Sequence, residues 1–193
     1  MSVDQPIDEA AIGRALESAV REHWVLFLIE GIVLVILGIA AILVPVLATL
    51  TFTILIGWLF LISGLVGLAT TLWMRQAPGF WWSLFSALIA IVAGILLLIR
   101  PLTGALSLTL VLGAFFILEG IASVMYSIAH RNQLTDRWGW MLVSGIIDLI
   151  IAGIIIVGLP GSAAWALGLL VGVNLLFGGA AMIGIALAAR KPA

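Results

Sequence analysis

Long apolar stretches alternate with short connections along the whole chain after residue 23. A transmembrane helix needs roughly 20 apolar residues, because each residue advances it about 1.5 Å through a hydrocarbon core about 30 Å thick. Stretches of this kind cover about 24–44, 47–73, 80–99, 102–129, 138–159 and 162–189. Formal charge inside them is limited to Glu30, Glu119 and Asp148. The pattern predicts an all-α polytopic membrane protein with six transmembrane helices.

Prolines divide the predicted spans into three helical hairpins. The first, third and fifth spans end at Pro45, Pro101 and Pro160, and the following span begins almost at once. Proline suits these turns because it lacks the amide proton that a continuing helix would donate. Turns this short force the joined spans to run antiparallel. The sequence therefore predicts a transmembrane domain over 24–190, with repeats at about 24–75, 80–131 and 138–190.

Glycine recurs at matched positions in the three hairpins. The first repeat contains Gly38, Pro45, Gly57 and Gly64, and the same residue types recur 56 positions later and again 59 positions further on, as Gly94, Pro101, Gly113, Gly120, Gly153, Pro160, Gly172 and Gly179. Glycines seven apart lie on nearly one helix face, which lets membrane helices pack closely. Gly168 and Gly172 add a GxxxG step. We interpret these glycines as packing within one chain, with a dimerisation face as the alternative.

The basic residues predict the orientation. The side that carries the termini holds seven of them, whereas the proline turns hold Arg100 alone. By the positive-inside rule, both termini lie in the cytoplasm and the protein belongs to the cytoplasmic membrane. Residues 1–23 lack an apolar span, and Ile12, Leu16 and Val20 recur at spacing four. This segment is predicted to form a short amphipathic helix on the membrane surface.

Composition narrows the classes of function. The chain is 64% apolar and 9% charged, against about 25% charged in an average soluble domain, so lipid is its main solvent. A net charge of −1 gives no basic face for nucleic acid. The lack of cysteine removes disulfides, thiolate metal sites and cysteine nucleophiles. We expect no enzymatic activity, no metal and no cofactor; the expected partner is the bilayer, and a homo-oligomer or a membrane-protein partner stays open.

Three segments carry a family resemblance: WVLFLIEGIVLVILGIAAILVP, LTFTILIGWLFLISGLVGLA and LVLGAFFILEGIASV. They carry the landmarks that recur in successive repeats of one known family, which are an aromatic-rich start, an early glycine, a glycine before the turn proline and a small-residue pair in the return helix. In these features the chain resembles the HdeD family of bacterial acid-resistance membrane proteins, over about 24–190. The resemblance implies a cytoplasmic-membrane protein associated with survival at low pH. It implies no catalytic signature.

The three intramembrane acids are the candidate functional residues. A charge at mid-membrane costs about 2.5–3.5 kcal/mol on insertion scales, so such side chains usually face protein or water. In one interpretation, Glu30, Glu119 and Asp148 are protonated and each donates a hydrogen bond across its own hairpin. In the other, they converge on a polar cavity open to the cytoplasm, where they exchange protons or bind a cation. The sequence leaves both interpretations open.

Polar residues of the same hairpins are the predicted partners of two of these acids. Glu30 and Ser63 are expected at similar depth in the first hairpin, and Ser86 and Glu119 repeat this arrangement in the second with the acid on the other helix. Each of these hairpins is therefore predicted to hold one carboxyl against one hydroxyl.

The third hairpin departs from this pattern. Gly145 and Gly178 align with the polar positions of the other repeats, and Gly145 lies one residue out of register. Asp148 lies one turn deeper on the first helix of this hairpin, and Asn174 lies on its return helix. Both are candidate interhelical polar sites.

Three functional hypotheses remain. The first is an HdeD-like membrane protein that acts in acid or envelope stress without enzymatic chemistry. The second is a small proton- or cation-linked channel or transporter that uses the three carboxylates. Transporters usually combine inverted repeats with broken helices, whereas these hairpins are parallel repeats, which favours the first hypothesis. The third is an assembly module for larger membrane complexes.

Overall fold

The computed structural model of the chain describes residues 23–75, 78–131 and 138–190. Its six long helices are α1 (Trp24–Leu43), α2 (Pro45–Trp73), α3 (Phe80–Ile99), α4 (Pro101–Ala129), α5 (Trp138–Val157) and α6 (Ala166–Arg190). All six are long and apolar enough to cross a membrane. The predicted all-α fold with six spans is therefore confirmed. The predicted amphipathic helix over 1–23 lies outside the described residues, except for His23.

The proline turns are built in two ways. Pro45 and Pro101 open α2 and α4 directly, in the first helical turn, where a proline costs no intrahelical hydrogen bond. After Pro160, a short 3₁₀-helix (Gly161–Ala164) comes before α6. The Ser162 hydroxyl of this 3₁₀-helix donates a 2.6 Å hydrogen bond to the Ile155 carbonyl oxygen of α5. As a result, α6 has 25 residues, whereas α2 and α4 have 29 each.

The helices belong to two compact units. One consists of α1 and residues 171–190 of α6, and the other of residues 44–170. In the first unit α1 packs on α6, and in the second the extensive pairs are α2 with α3 and α4 with α5. Each return helix therefore packs on the first helix of the next repeat, and the last return helix packs on α1. The proline-turn hairpins predicted from the sequence are connected in the chain, but they are not the main packing pairs.

Small and hydroxyl-bearing residues fill the interior of the second unit. Thr49, Thr53 and Thr109 are fully buried. The Thr53 hydroxyl donates to the Thr49 carbonyl oxygen at 2.8 Å, and the amide of Gly168 donates to the Thr49 hydroxyl oxygen at 2.9 Å. Beside them, a β-carbon at Gly104 would meet the Thr53 methyl group at 3.2 Å. Helices can approach this closely because the residues between them are small.

Candidate functional site

Each of the three helix pairs has a close contact between two small residues at a matched position of the repeats. A β-carbon on the first residue of each contact would come within 2.8–3.0 Å of the carbonyl oxygen of the second. Real β-carbons do not approach an oxygen so closely, so the first position requires glycine. The contacts are Gly31–Gly179 between α1 and α6, Gly64–Ala87 between α2 and α3, and Gly120–Gly145 between α4 and α5. The prediction that the glycines pack helices within one chain is confirmed at these positions.

These contacts correct the alignment of the third repeat. The contact residues of α3 and α5 are Ala87 and Gly145, which are 58 residues apart instead of the 59 predicted for this step. Ala152 takes the buried place expected for Gly153, with 1% of its surface exposed. Gly153 is exposed, and no atom lies within 4 Å of its β-carbon position. The predicted role of Gly153 in the triplication is therefore wrong. The additional residue lies in the turn that contains the 3₁₀-helix.

The polar positions shared by the repeats come immediately before the contact residues. On the first helices they are Glu30, Ser86 and Ser144. On the return helices they are Ser63 and Glu119, and the third repeat has Gly178 at this position. The sequence alignment had placed Gly145 at this position, so it missed Ser144. Ser144 aligns with Ser86 only when the additional residue of the third proline turn is left out of the alignment. The shared polar positions therefore belong to the packing contacts between successive repeats.

Ser63 and Ser86 line one cavity between α2 and α3. The cavity has a volume of about 490 Å³, and further hydroxyls line it from Thr70, Thr71 and Ser83. The sequence had predicted that each of these serines would face a carboxyl in its own proline-turn hairpin. Ser86 instead lines the cavity with Ser63 and makes no hydrogen bond to Glu119 within the described part of the chain, so its pairing with Glu119 stays a prediction. The other two helix pairs carry an acid at one of these matched positions, whereas the α2–α3 cavity has the hydroxyls of Ser63 and Ser86 there.

Two of the three acids lie close in sequence to the contact between α4 and α5. Glu119 comes directly before the α4 contact residue, and Asp148 lies three residues after Gly145. Asp148 corresponds to Ala90 of the preceding repeat, because each lies three residues after the contact residue of its helix. Ala90 lines the α2–α3 cavity. Ser123 also lies at the α4–α5 contact, because its β-carbon lies 2.9 Å from the β-carbon position of Gly145. Glu119 is exposed and Asp148 is half-buried in the isolated chain. Two carboxyls thus flank one close helix contact.

The remaining candidates, Glu30 and Asn174, lie in the other unit. Glu30 is exposed on α1 beside the Gly31 contact, and the facing polar position of α6 is occupied by Gly178. Asn174 is exposed five residues before Gly179, so the structure does not bring it to this contact. Among the residues that the structure describes, none of the three acids makes a hydrogen bond. The predicted hydrogen bond across each proline-turn hairpin is therefore not formed.

Aromatic side chains gather at the helix ends nearest the termini and the longer connections. The Arg190 guanidinium lies over the Trp24 ring, 5.4 Å from its centroid. At the end of α4, the rings of Tyr126 and His130 stack with centroids 4.2 Å apart. The indole of Trp81 is 77% exposed. Exposed aromatic rings at the ends of membrane-spanning helices are typical of the interface between hydrocarbon and water.

Comparison with known proteins identifies the family. The family described as "Short repeat of unknown function (DUF308)" matches residues 29–99 and 85–156, which together cover about two thirds of the chain. The chain belongs to this family. Both matches begin on a first helix and extend through the return helix into the next first helix. A DUF308 match therefore contains one complete pair of the kind that the structure shows between successive repeats.

The chain is also similar to Protein HdeD of Escherichia coli (strain K12) and of Shigella flexneri. Each is 24% identical to it over 184 residues, spanning 93% of this chain and 95% of the relative. No solved structure matches the chain. The protein is therefore an HdeD homologue with DUF308 repeats, and its six apolar helices make it a multi-span membrane protein.

Proposed function

We propose that this protein acts in acid or envelope stress, without enzymatic chemistry, in the bacterial cytoplasmic membrane, with both termini in the cytoplasm. The observation that carries the proposal is the position of Glu119 and Asp148 beside the close Gly120–Gly145 contact of α4 with α5. The resemblance to HdeD over nearly the whole chain supports the same function. The seven basic residues on the side of the termini support the orientation.

The proposal links these two acids to the packing of α4 on α5. Two ionised carboxylates on either side of one helix contact would repel each other, and their charge is costly in the apolar interior of a membrane. Protonation removes the repulsion and gives each carboxyl a hydrogen-bond donor. Nothing larger than a hydrogen atom separates the backbones at Gly120 and Gly145, so a small change in helix separation alters the whole contact. Acid is therefore expected to draw α4 and α5 together.

Other titratable groups stand further along the same helix. Tyr126 and His130 stack on each other at the loop end of α4, and the His130 Nδ1 atom lies 3.2 Å from the Tyr126 carbonyl oxygen. They are seven or more residues from Glu119, beyond the glycine contact. The proposal therefore assigns the acid response to Glu119 and Asp148, with Glu30 making the corresponding contribution in the other unit.

Survival of acid challenge by cells that depend on this protein tests the proposal. The triple variant E30Q, E119Q and D148N should abolish survival, and E119Q with D148N should account for most of the loss. The matched control is S63A with S86A, which changes the corresponding positions of the acid-free α2–α3 cavity and should leave survival intact. Immunoblots of membranes establish equal protein levels. Undiminished survival of the triple variant would show that the carboxyls have no part in the function.

A transport function makes a different prediction for the purified protein. The described helices α1 to α5 run without interruption, unlike the broken helices that bind ions in many transporters. We therefore expect no proton flux into liposomes that contain the wild-type chain. Acid-dependent flux that the triple carboxyl variant loses would overturn the non-transport proposal in favour of a channel or transporter.

A further inference from the structure

A second groove lies on the opposite half of the α2–α5 unit, between α2, α3 and α4. It has a volume of about 500 Å³, within the range of about 300–1,000 Å³ typical of ligand sites. Its walls include Phe60, Leu96, Leu108 and Val111. Phe60, Leu96 and Val111 are 43%, 60% and 68% exposed, so the groove opens onto the surface that faces lipid. It shares no lining residue with the α2–α3 cavity that contains Ser63 and Ser86.

One end of this groove carries a positive charge. Arg100 is the single charged residue that lines it, and Thr103 and Ser107 line it from the same face of α4, three and seven residues further on. The Ser107 hydroxyl donates to the Thr103 carbonyl oxygen at 3.2 Å. Within the described part of the chain, the Arg100 guanidinium makes no ion pair and the Thr103 hydroxyl makes no hydrogen bond.

The start of α4 places amide donors near this end of the groove. The first intrahelical hydrogen bond of α4 runs from the Gly104 amide to the Arg100 carbonyl oxygen. The amides of Leu102 and Thr103, which precede it, therefore have no helical acceptor. Amides at the beginning of a helix and a guanidinium both favour an anionic oxygen group. The residues corresponding to Arg100 before the other two prolines are Val44 and Leu159, so the second repeat alone carries this charge.

We infer that this groove binds one anionic phospholipid, with its phosphate at Arg100 and an acyl chain along the apolar wall. A soluble anion would leave the apolar wall uncovered. A zwitterionic lipid would bring an ammonium group to a site whose lining contains no carboxylate. An anionic lipid satisfies both parts of the groove, because it pairs one negative charge with one positive charge and covers the hydrocarbon surface.

Native mass spectrometry of the full chain in detergent, with phosphatidylglycerol or phosphatidylethanolamine added at equal concentration, tests this inference. The wild-type chain should retain one phosphatidylglycerol molecule in preference to phosphatidylethanolamine. R100Q should reduce the preference about fivefold, as expected for the loss of one basic residue at a membrane surface. R100K should keep most of it. A93F places a bulky ring at Ala93 in the apolar wall and should reduce the retention of both lipids.

The matched control is R75Q. Arg75 is an exposed arginine at the other end of α2, where its Nε atom donates to the Leu72 carbonyl oxygen. R75Q should leave the lipid preference unchanged. Equal preference for the two lipids in the wild type, or an equal loss in R75Q and R100Q, would overturn the inference. Displacement of the lipid by inorganic phosphate would show a simple anion site and would also overturn it.

Discussion

Two buried threonines in the second unit differ in what their hydroxyl groups do. The Thr49 hydroxyl oxygen accepts the Gly168 amide, which would otherwise be a buried donor at the start of α6 without a partner. The Thr109 hydroxyl is equally buried, but it has no hydrogen-bond partner. A buried polar group stabilises a fold only when it is paired. The two side chains therefore make opposite contributions to stability, although the sequence gives no sign of it.

Replacing each threonine by valine, which has the same shape, isolates this difference. T49V leaves the Gly168 amide unpaired and should lower the free energy of unfolding by about 1–3 kcal/mol. T109V removes only an unpaired hydroxyl and should leave that free energy unchanged or raise it. Denaturant titration of the purified variants in detergent micelles measures both values. Equal destabilisation by the two substitutions would contradict the assigned hydrogen bond.

At the scale of the helix, the position of a glycine decides its role. Gly145 and Gly153 lie on the same helix, α5, eight residues apart. A β-carbon at Gly145 would lie 2.9 Å from the Gly120 carbonyl oxygen, whereas at Gly153 it would meet nothing within 4 Å. Spacing alone favoured Gly153, because it aligned with the glycines of the other repeats. Packing assigns the role to Gly145.

Substitution by leucine at these two sites tests the assignment. G145L must separate α4 from α5 and should destabilise the protein by about 1–3 kcal/mol or more, as overpacking does. G153L should be neutral or stabilising by up to about 1 kcal/mol, because leucine has the higher helix propensity. Thermal unfolding of the two variants side by side gives the comparison. Greater damage from G153L would restore the register predicted from the sequence.

The spans could be predicted from the sequence, but their partners could not. Stretch length and the prolines were sufficient for the six helices, because the bilayer fixes how many apolar residues a span needs. In lipid, the outer surface of a helix is as apolar as its packed face, so periodicity does not reveal which helix it contacts. The sequence therefore pairs the two helices of one repeat around the carboxyls, whereas the structure packs each return helix on a first helix of another repeat. Ser144 was missed for a related reason, since the extra residue at the third turn hides its alignment.

For the whole molecule, the repeats are best understood as overlapping units. Each return helix packs on the first helix of the following repeat, and α6 packs on α1, the helix most distant in sequence. The DUF308 matches overlap in the same way, because both include α3. In each of these contacts, a return helix meets the first helix of another repeat. Each contact therefore joins matched positions of two different repeats.

The pairing of α1 with α6 is the central claim, and thiol cross-linking tests it most directly because the native chain has no cysteine. Trp24 and Arg190 are in contact, so the variant W24C with R190C should cross-link within one chain under a short bifunctional thiol reagent. Cleavage at a protease site placed between α4 and α5 separates the fragment that contains α1 from the fragment that contains α6, unless the two thiols are cross-linked. The control, L43C with R190C, moves one thiol about 30 Å along α1 and should not cross-link. Failure of the first pair, or cross-linking of the second, would contradict the proposed pairing.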